Sequence, residues 1–285
     1  MILRIANVNI KFTLHYQDLL AKRYVSYFSK EDSFDGEIVS CFVQEIIPYD
    51  GLVIDYTKKV AEYDISSTEK VVVNIHNGSI IHQMKFDLSG KRVTIDSKLS
   101  DDPIKGAELE HFKCGLALAI LLFFRKYVML HGSCIAYQDQ GIIFSADSGV
   151  GKSTQSRLWM EYFGSCVTQI NDDKPILGLQ GAQVFAYGTP FSGKHHINEN
   201  RSVPLKAIVF LKRSVTNSIK SLTVTEIIPK LFNQLTRFEV DTYVMSDFIG
   251  VVEQIISIVP CYELSCNMEY EAVKITYEMI FGGYI

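Results

Sequence analysis

Apolar and polar residues alternate from residue 2 to residue 12, and residues 37–47 are rich in β-forming types. Residues 70–75 (KVVVNI) and 80–86 flank the turn His76-Asn77-Gly78-Ser79, and Ser89-Gly90-Lys91 precedes another short apolar run at 92–95. This spacing predicts strands and hairpins, read as an antiparallel sheet, with one early helix near residues 16–28. Asp101-Asp102-Pro103 is a turn cluster and the predicted boundary between a β-rich domain at 1–105 and a second domain at 106–285.

The second half reads differently. Residues 107–129 suit one long buried helix, and two short strands, 133–137 and 141–145, have hairpin spacing around Gln138-Asp139-Gln140. A helix is predicted over 152–163, with Gly164 to stop it. A strand at 166–170 ends in Asn171-Asp172-Asp173, a hairpin at 175–179 and 183–187 turns on Gln180-Gly181, and 205–211 (LKAIVFL) reads as a strong strand. Thr225, Asp241 and Asn267 are candidate caps for three closing helices, with a strand at 260–264 between the last two.

Composition narrows the class. The 285 residues are 47% hydrophobic, enough for a large core, and 32 acidic against 28 basic residues give a net charge of -4. That charge gives a nucleic-acid partner no bulk electrostatic support. The most apolar run, residues 115–124, is about half the roughly 20 residues that a membrane span needs. The N-terminus lacks the cationic, apolar and small-residue succession of a secretory leader. A cytoplasmic protein with no membrane partner is therefore expected. The six cysteines contain no C-x-x-C; Cys261 and Cys266 are the closest pair, and nothing completes a zinc site with them.

The chemistry sits in one segment. Residues 146–153, A-D-S-G-V-G-K-S, match the phosphate-binding pattern G-x-x-x-x-G-K-[ST] except at Ala146. The cradle is made by backbone N–H groups over Ser148, Gly149, Val150, Gly151, Lys152, Ser153 and Thr154 at the positive end of the following helix, so Ala146 is tolerated if its φ stays negative. Lys152 would place its ammonium at the β- and γ-phosphates, and the Ser153 hydroxyl would ligate Mg²⁺. Asp172 and Asp173, after the next strand, supply the carboxylates: one for the metal, one to accept a proton. Lys194, in a Gly-Pro-rich loop, could neutralise phosphate charge. His195 and His196 point opposite ways on an extended chain and do not share a metal.

The succession His131-Gly132-Ser133, Asp147-Ser148-Gly149-Val150-Gly151-Lys152-Ser153, Asp172-Asp173 and Tyr187-Gly188-Thr189-Pro190-Phe191-Ser192-Gly193-Lys194 resembles the HPr kinase/phosphorylase family. It is more similar still to the HPr-kinase-like proteins of peptide-modification and biosynthetic gene clusters, and distantly similar to ATP-dependent phosphoenolpyruvate carboxykinase. The resemblance implies an α/β (α+β) fold, a P-loop kinase core with a mixed, hairpin-rich sheet, beside the β-rich N-terminal domain. It implies Asp172 as catalytic base, Asp173 as metal ligand, His131 near the transferred phosphate, and ATP with Mg²⁺ as cofactors.

The expected activity is transfer of the γ-phosphate to a serine-type hydroxyl of a peptide or protein substrate. Two alternatives stand beside it: a carboxykinase-like phosphotransferase acting on a small molecule, and a nucleotide-binding regulator without catalysis. Self-association as a homo-oligomer is left open.

Overall fold

The computed structural model describes residues 1–193, 196–236 and 242–283, the side chains of 242–245 excepted. The fold is α/β with two mixed sheets. It divides into two compact units, one built on Met1–Lys126, the other on Tyr127–Thr236 and residues 246–283.

The first unit contains β1 (Ile2–Ile5), β2 (Val8–Thr13), α1 (Gln17–Tyr24), β3 (Gly36–Val43), β4 (Val60–Asp64), β5 (Glu69–His76), β6 (Ser79–Asp87), β7 (Arg92–Lys98) and α2 (Pro103–Phe123). The alternating run at 2–12 is broken into a hairpin at Ala6-Asn7, whose φ angles of 51° and 63° make a tight reversal. The described strands are ordered β1-β2-β3-β7-β6-β5-β4. The β2–β3 and β3–β7 pairs are parallel, so the sheet is mixed rather than antiparallel. Period-two alternation determines which face a residue takes, not the direction of the neighbouring strand.

α2 differs from the predicted helix at both ends. It begins at Pro103 because the Asp102 carboxylate accepts the N–H groups of Ile104 and Lys105, so the predicted turn cluster is a helix cap. It ends at Phe123, and Lys126 follows with a left-handed φ of 63°. The helix groups with the first unit, and the division falls after it rather than at residue 105.

The second unit contains β8 (Tyr127–Met129), β9 (Gly132–Tyr137), β10 (Gln140–Ser145), α3 (Lys152–Phe163), β11 (Val167–Asn171), β12 (Ile176–Gln180), β13 (Gln183–Tyr187), β14 (Ser202–Arg213), β15 (Ser218–Ser221), α4 (Val224–Gln234), the part of α5 (Thr242–Ile258) from residue 246 onward, β16 (Cys261–Cys266) and α6 (Tyr270–Phe281). Its described strands are ordered β11-β9-β10-β14-β13-β12-β8, and β16 pairs with β14 and β15. Both expected hairpins, β9–β10 and β12–β13, are present. Leu158 and Trp159 of α3 and Val273 and Ile280 of α6 pack in one core with Ile135, Phe144, Val209 and Leu264. Burying a tryptophan completely against such a layer is a major contribution to its stability.

The closing helices start elsewhere than expected. α4 is capped by Thr223 in a reciprocal box with Glu226, since Thr225 already lies inside the first turn. The N-cap of α6 is Glu269, while Asn267 accepts the Glu269 N–H from just outside the helix. Asp241 lies outside the described residues. Among the described residues, all six cysteines are free and no helix is long and apolar enough to cross a membrane.

Candidate functional site

Three adjacent strands assemble the site. β9 is antiparallel to both β10 and β11, so β10 and β11 run the same way and their C-terminal ends flank the N-terminal end of β9. The loop after β10, His131 before β9 and Asp172-Asp173 after β11 therefore leave the sheet at the same end. The register agrees: Ser145 lies opposite Gly132, and Asn171 opposite Cys134. β14 is parallel to β10, and β16 to β14, which brings Arg213 and Cys266 to that end as well.

The loop has the backbone of a phosphate cradle. Gly149 and Gly151 adopt φ of +79° and +133°, and a Cβ on either would meet no protein atom within 4 Å. Glycine is required there by conformation, while space beside the amides stays open. Lys152 is the first residue of α3, and α3 has no side-chain cap. Its Nζ donates to the carbonyls of Ala146 at 2.9 Å and Asp147 at 3.3 Å. Burial lowers the Lys152 pKa, with nearby Lys174 acting in the same direction, while Asp173 and Asp147 oppose the shift. Ser153 is exposed and Thr154 half-buried in the first turn. Ser148 is exposed, and Val150 packs against the α3–α6 core. Ala146 is buried in that core and is not among the residues with positive φ.

Asn171 shapes the paired aspartates. Its Oδ1 accepts the N–H groups of Asp173 at 2.9 Å and Lys174 at 2.6 Å, and its Nδ2 donates to the Thr189 carbonyl at 2.9 Å. The two carboxylates then take different partners. Buried Asp172 accepts the Gly193 N–H at 2.6 Å. Asp173 meets His131 Nε2 at 3.3 Å and Lys174 Nζ at 2.8 Å. Burial pushes the Asp173 carboxyl upward, but His131 and Lys174 outweigh it and hold its pKa at about 2.

His131 continues a chain of contacts back to the loop. Gln234, at the end of α4, donates through Nε2 to Asp147 Oδ1 at 2.7 Å. A carboxylate only accepts, so this bond orients the amide and leaves Gln234 Oε1 facing His131 Nδ1 at 3.1 Å. Asp173, His131, Gln234 and Asp147 thus form one connected row.

The structure brings His131, Asp173, Lys152 and the glycine loop together, and turns Asp172 toward Gly193. Lys194 and His195 lie outside the described residues, and His196 is exposed. The sequence reading missed Gln234 and Arg213, whose guanidinium donates to the carbonyls of Gly149 and Val150. Arg213 could have been suspected as the basic end of an apolar strand, whereas a glutamine closing a helix carries no signal.

The donor set bears on the metal. Among the described residues no group of three or more His, Cys, Asp or Glu side chains could hold an ion. Ser153 with one carboxylate suits Mg²⁺, which keeps several waters and shares phosphate oxygens, and does not suit a zinc cage. Beside the loop, a cavity of about 400 Å³ is bounded by Gly149, Gly151, Thr154, Arg213, Asn267 and Met268.

No family model matches this chain, and no curated protein matches it. Among solved structures, the Hpr(Ser) kinase/phosphatase from Coxiella burnetii aligns with a TM-score of 0.30 and 8% identity, covering 54% of this chain and 99% of its own. A likeness of that size carries no inference about chemistry, which rests on the residues themselves.

Proposed function

We propose that the chain is an ATP- and Mg²⁺-dependent kinase transferring the γ-phosphate to a serine-type hydroxyl of a peptide or protein. One observation carries the reading: the positive-φ glycine loop with Lys152 at its end emerges beside the Asp173–His131 pair at one end of the sheet. Mg–ATP held there would supply the transferable phosphoryl group.

Each residue then has a task. The amides of 148–153 bind the phosphates, and Lys152 exchanges its two loop carbonyls for phosphate oxygens. Ser153 and Asp173 hold the metal, and Lys194 neutralises further phosphate charge. With its pKa held at about 2, Asp173 is a poor base at neutral pH, which favours Asp172 as the carboxylate that accepts the hydroxyl proton. His131 orients Asp173 through Nε2. The cavity beside the loop, about 400 Å³, has room for the nucleoside. An acceptor other than nucleic acid belongs to the same proposal, supported by the net charge of -4, and a cytoplasmic location is proposed with it.

The test is incubation with γ-labelled ATP, Mg²⁺ and a library of serine-containing peptides. Label in peptide is the expected result. Label confined to inorganic phosphate overturns the kinase reading, and Mg–ATP binding without turnover overturns it in favour of a nucleotide-binding regulator; label in a small hydroxylated compound moves it to a small-molecule phosphotransferase.

A further inference from the structure

The first unit holds a second, differently built cavity. Across its sheet Val60 lies opposite Asn74, and Glu62 opposite Val72. Asn74 in turn lies opposite His82, and Val72 opposite Met84. Cross-strand partners share a face, so these side chains all project to one side. There they meet Phe112, Lys113 and Leu116 of α2 around a cavity of about 410 Å³.

The cavity is apolar apart from a few groups, and two lysines on this part of the unit are handled differently. Lys70, itself buried, has Asp64 at 2.6 Å and Glu62 at 3.4 Å. Lys113 has no carboxylate among the described residues within ion-pair distance, and its Nζ lies 5.7 Å from the centre of the Phe112 ring. Burial alone pushes the Lys113 pKa down to about 8. His82 adds no compensating charge: it is 2% exposed, contacts Ser97 Oγ at 3.2 Å, and burial, then Lys113, hold its pKa at about 3. Glu62 is committed to Lys70.

A desolvated ammonium over apolar walls costs free energy that a carboxylate would recover, provided the rest of the ligand is itself apolar. We propose that this cavity binds an aliphatic carboxylate, its head group on Lys113 Nζ with the Asn74 amide as a second donor, its chain along Val72, Met84 and Leu116. The volume lies within the range of small-molecule sites. The site uses none of the P-loop residues, so it stands or falls independently of the kinase reading.

The experiment is titration of the full chain with octanoate, octanamide and octylamine, followed by calorimetry and thermal shift. Octanoate should bind and raise the melting temperature. Octanamide should bind at least about tenfold more weakly, a difference of roughly 1.4 kcal/mol, and octylamine not at all. Lys113→Gln should reduce octanoate to the level of octanamide. Leu116→Trp, which fills the cavity and leaves the ammonium in place, should abolish binding and guards against a Lys113 variant that does not fold. Equal binding of octanoate and octanamide, octanoate binding untouched by either substitution, or no binding up to about 10 mM would overturn the proposal.

Discussion

Two helix starts, one in each unit, are built in opposite ways. In the first, β7 leads to α2, whose leading amides are closed off by the Asp102 side chain and Pro103. In the second, β10 leads to α3, whose N-cap is Gly151 with no side-chain bond, and whose approach is a glycine loop in left-handed conformation. Both sheets contain parallel neighbours, so sheet type is not what separates them. An unsatisfied helix N-terminus keeps its N–H groups and partial positive charge for an anion, while a capped one has already used them. The difference teaches that the candidate site lies where the local sequence withholds a cap and supplies a lysine instead.

The sharpest way to break that comparison is to damage each helix start in turn. Lys152→Ala should lower phosphoryl transfer by about 10²- to 10³-fold with the circular dichroism unchanged, because it removes the charge at the transferring group and little of the fold. Asp102→Ala should cost about 1 kcal/mol of stability in urea unfolding and leave turnover intact, because it removes only a cap. Normal turnover in the lysine variant, or lost turnover in the aspartate variant at full folding, would erase the distinction.

Next in size are the paired aspartates. Asp172→Asn should slow transfer by roughly 10²-fold or more while largely sparing Mg–ATP binding, because the amide keeps the Gly193 contact but cannot take a proton. Asp173→Asn should raise the Mg²⁺ concentration that gives half-maximal rate. Exchanged phenotypes would exchange the roles, and two fully active variants would remove this pair from the chemistry.

What could be read in advance follows from how local each feature is. The glycine loop, its flanking strand and helix, and the strand that leads to Asp172-Asp173 are written in contiguous residues, and these elements were legible. Strand direction in the first unit was not, because a β-rich run such as residues 37–47 fits a parallel neighbour as well as an antiparallel one. The end of α2 was hidden because residues 127–129 are as apolar as the helix before them, and only pairing with β12 makes them a strand. Gln234 was invisible for a similar reason: it lies 103 residues from His131 along the chain and only the folded sheet end brings the two together.

That row of contacts gives the third prediction. Gln234→Leu keeps the volume but removes both hydrogen bonds, freeing Asp147 and the Nδ1 side of His131. A positioning role should cost about tenfold in kcat, roughly 1.4 kcal/mol, with ATP KM changed less than kcat. Gln234→Glu should not rescue it, since a carboxylate would face Asp147. A change in melting temperature with kinetics intact would reduce Gln234 to a structural residue and sharpen the comparison differently, confining the helix-start effect to Lys152 and the glycines.

The smallest expected effect is at Ala146, where the loop departs from its pattern. Its φ is not positive, its methyl is buried beside the α3–α6 core, and its carbonyl accepts the Lys152 ammonium. Nothing in that arrangement needs glycine, because the two left-handed positions are Gly149 and Gly151. Ala146→Gly should therefore change ATP affinity by less than about tenfold, under roughly 1.4 kcal/mol. It should also lower stability by roughly 0.4–1 kcal/mol, as added backbone freedom in the unfolded chain is no longer restrained. Titration of Mg–ATP and urea unfolding on the same variant separate the two. A gain in affinity well beyond tenfold would mean that the alanine holds the loop away from its binding conformation, and that the open helix start is a disabled cradle.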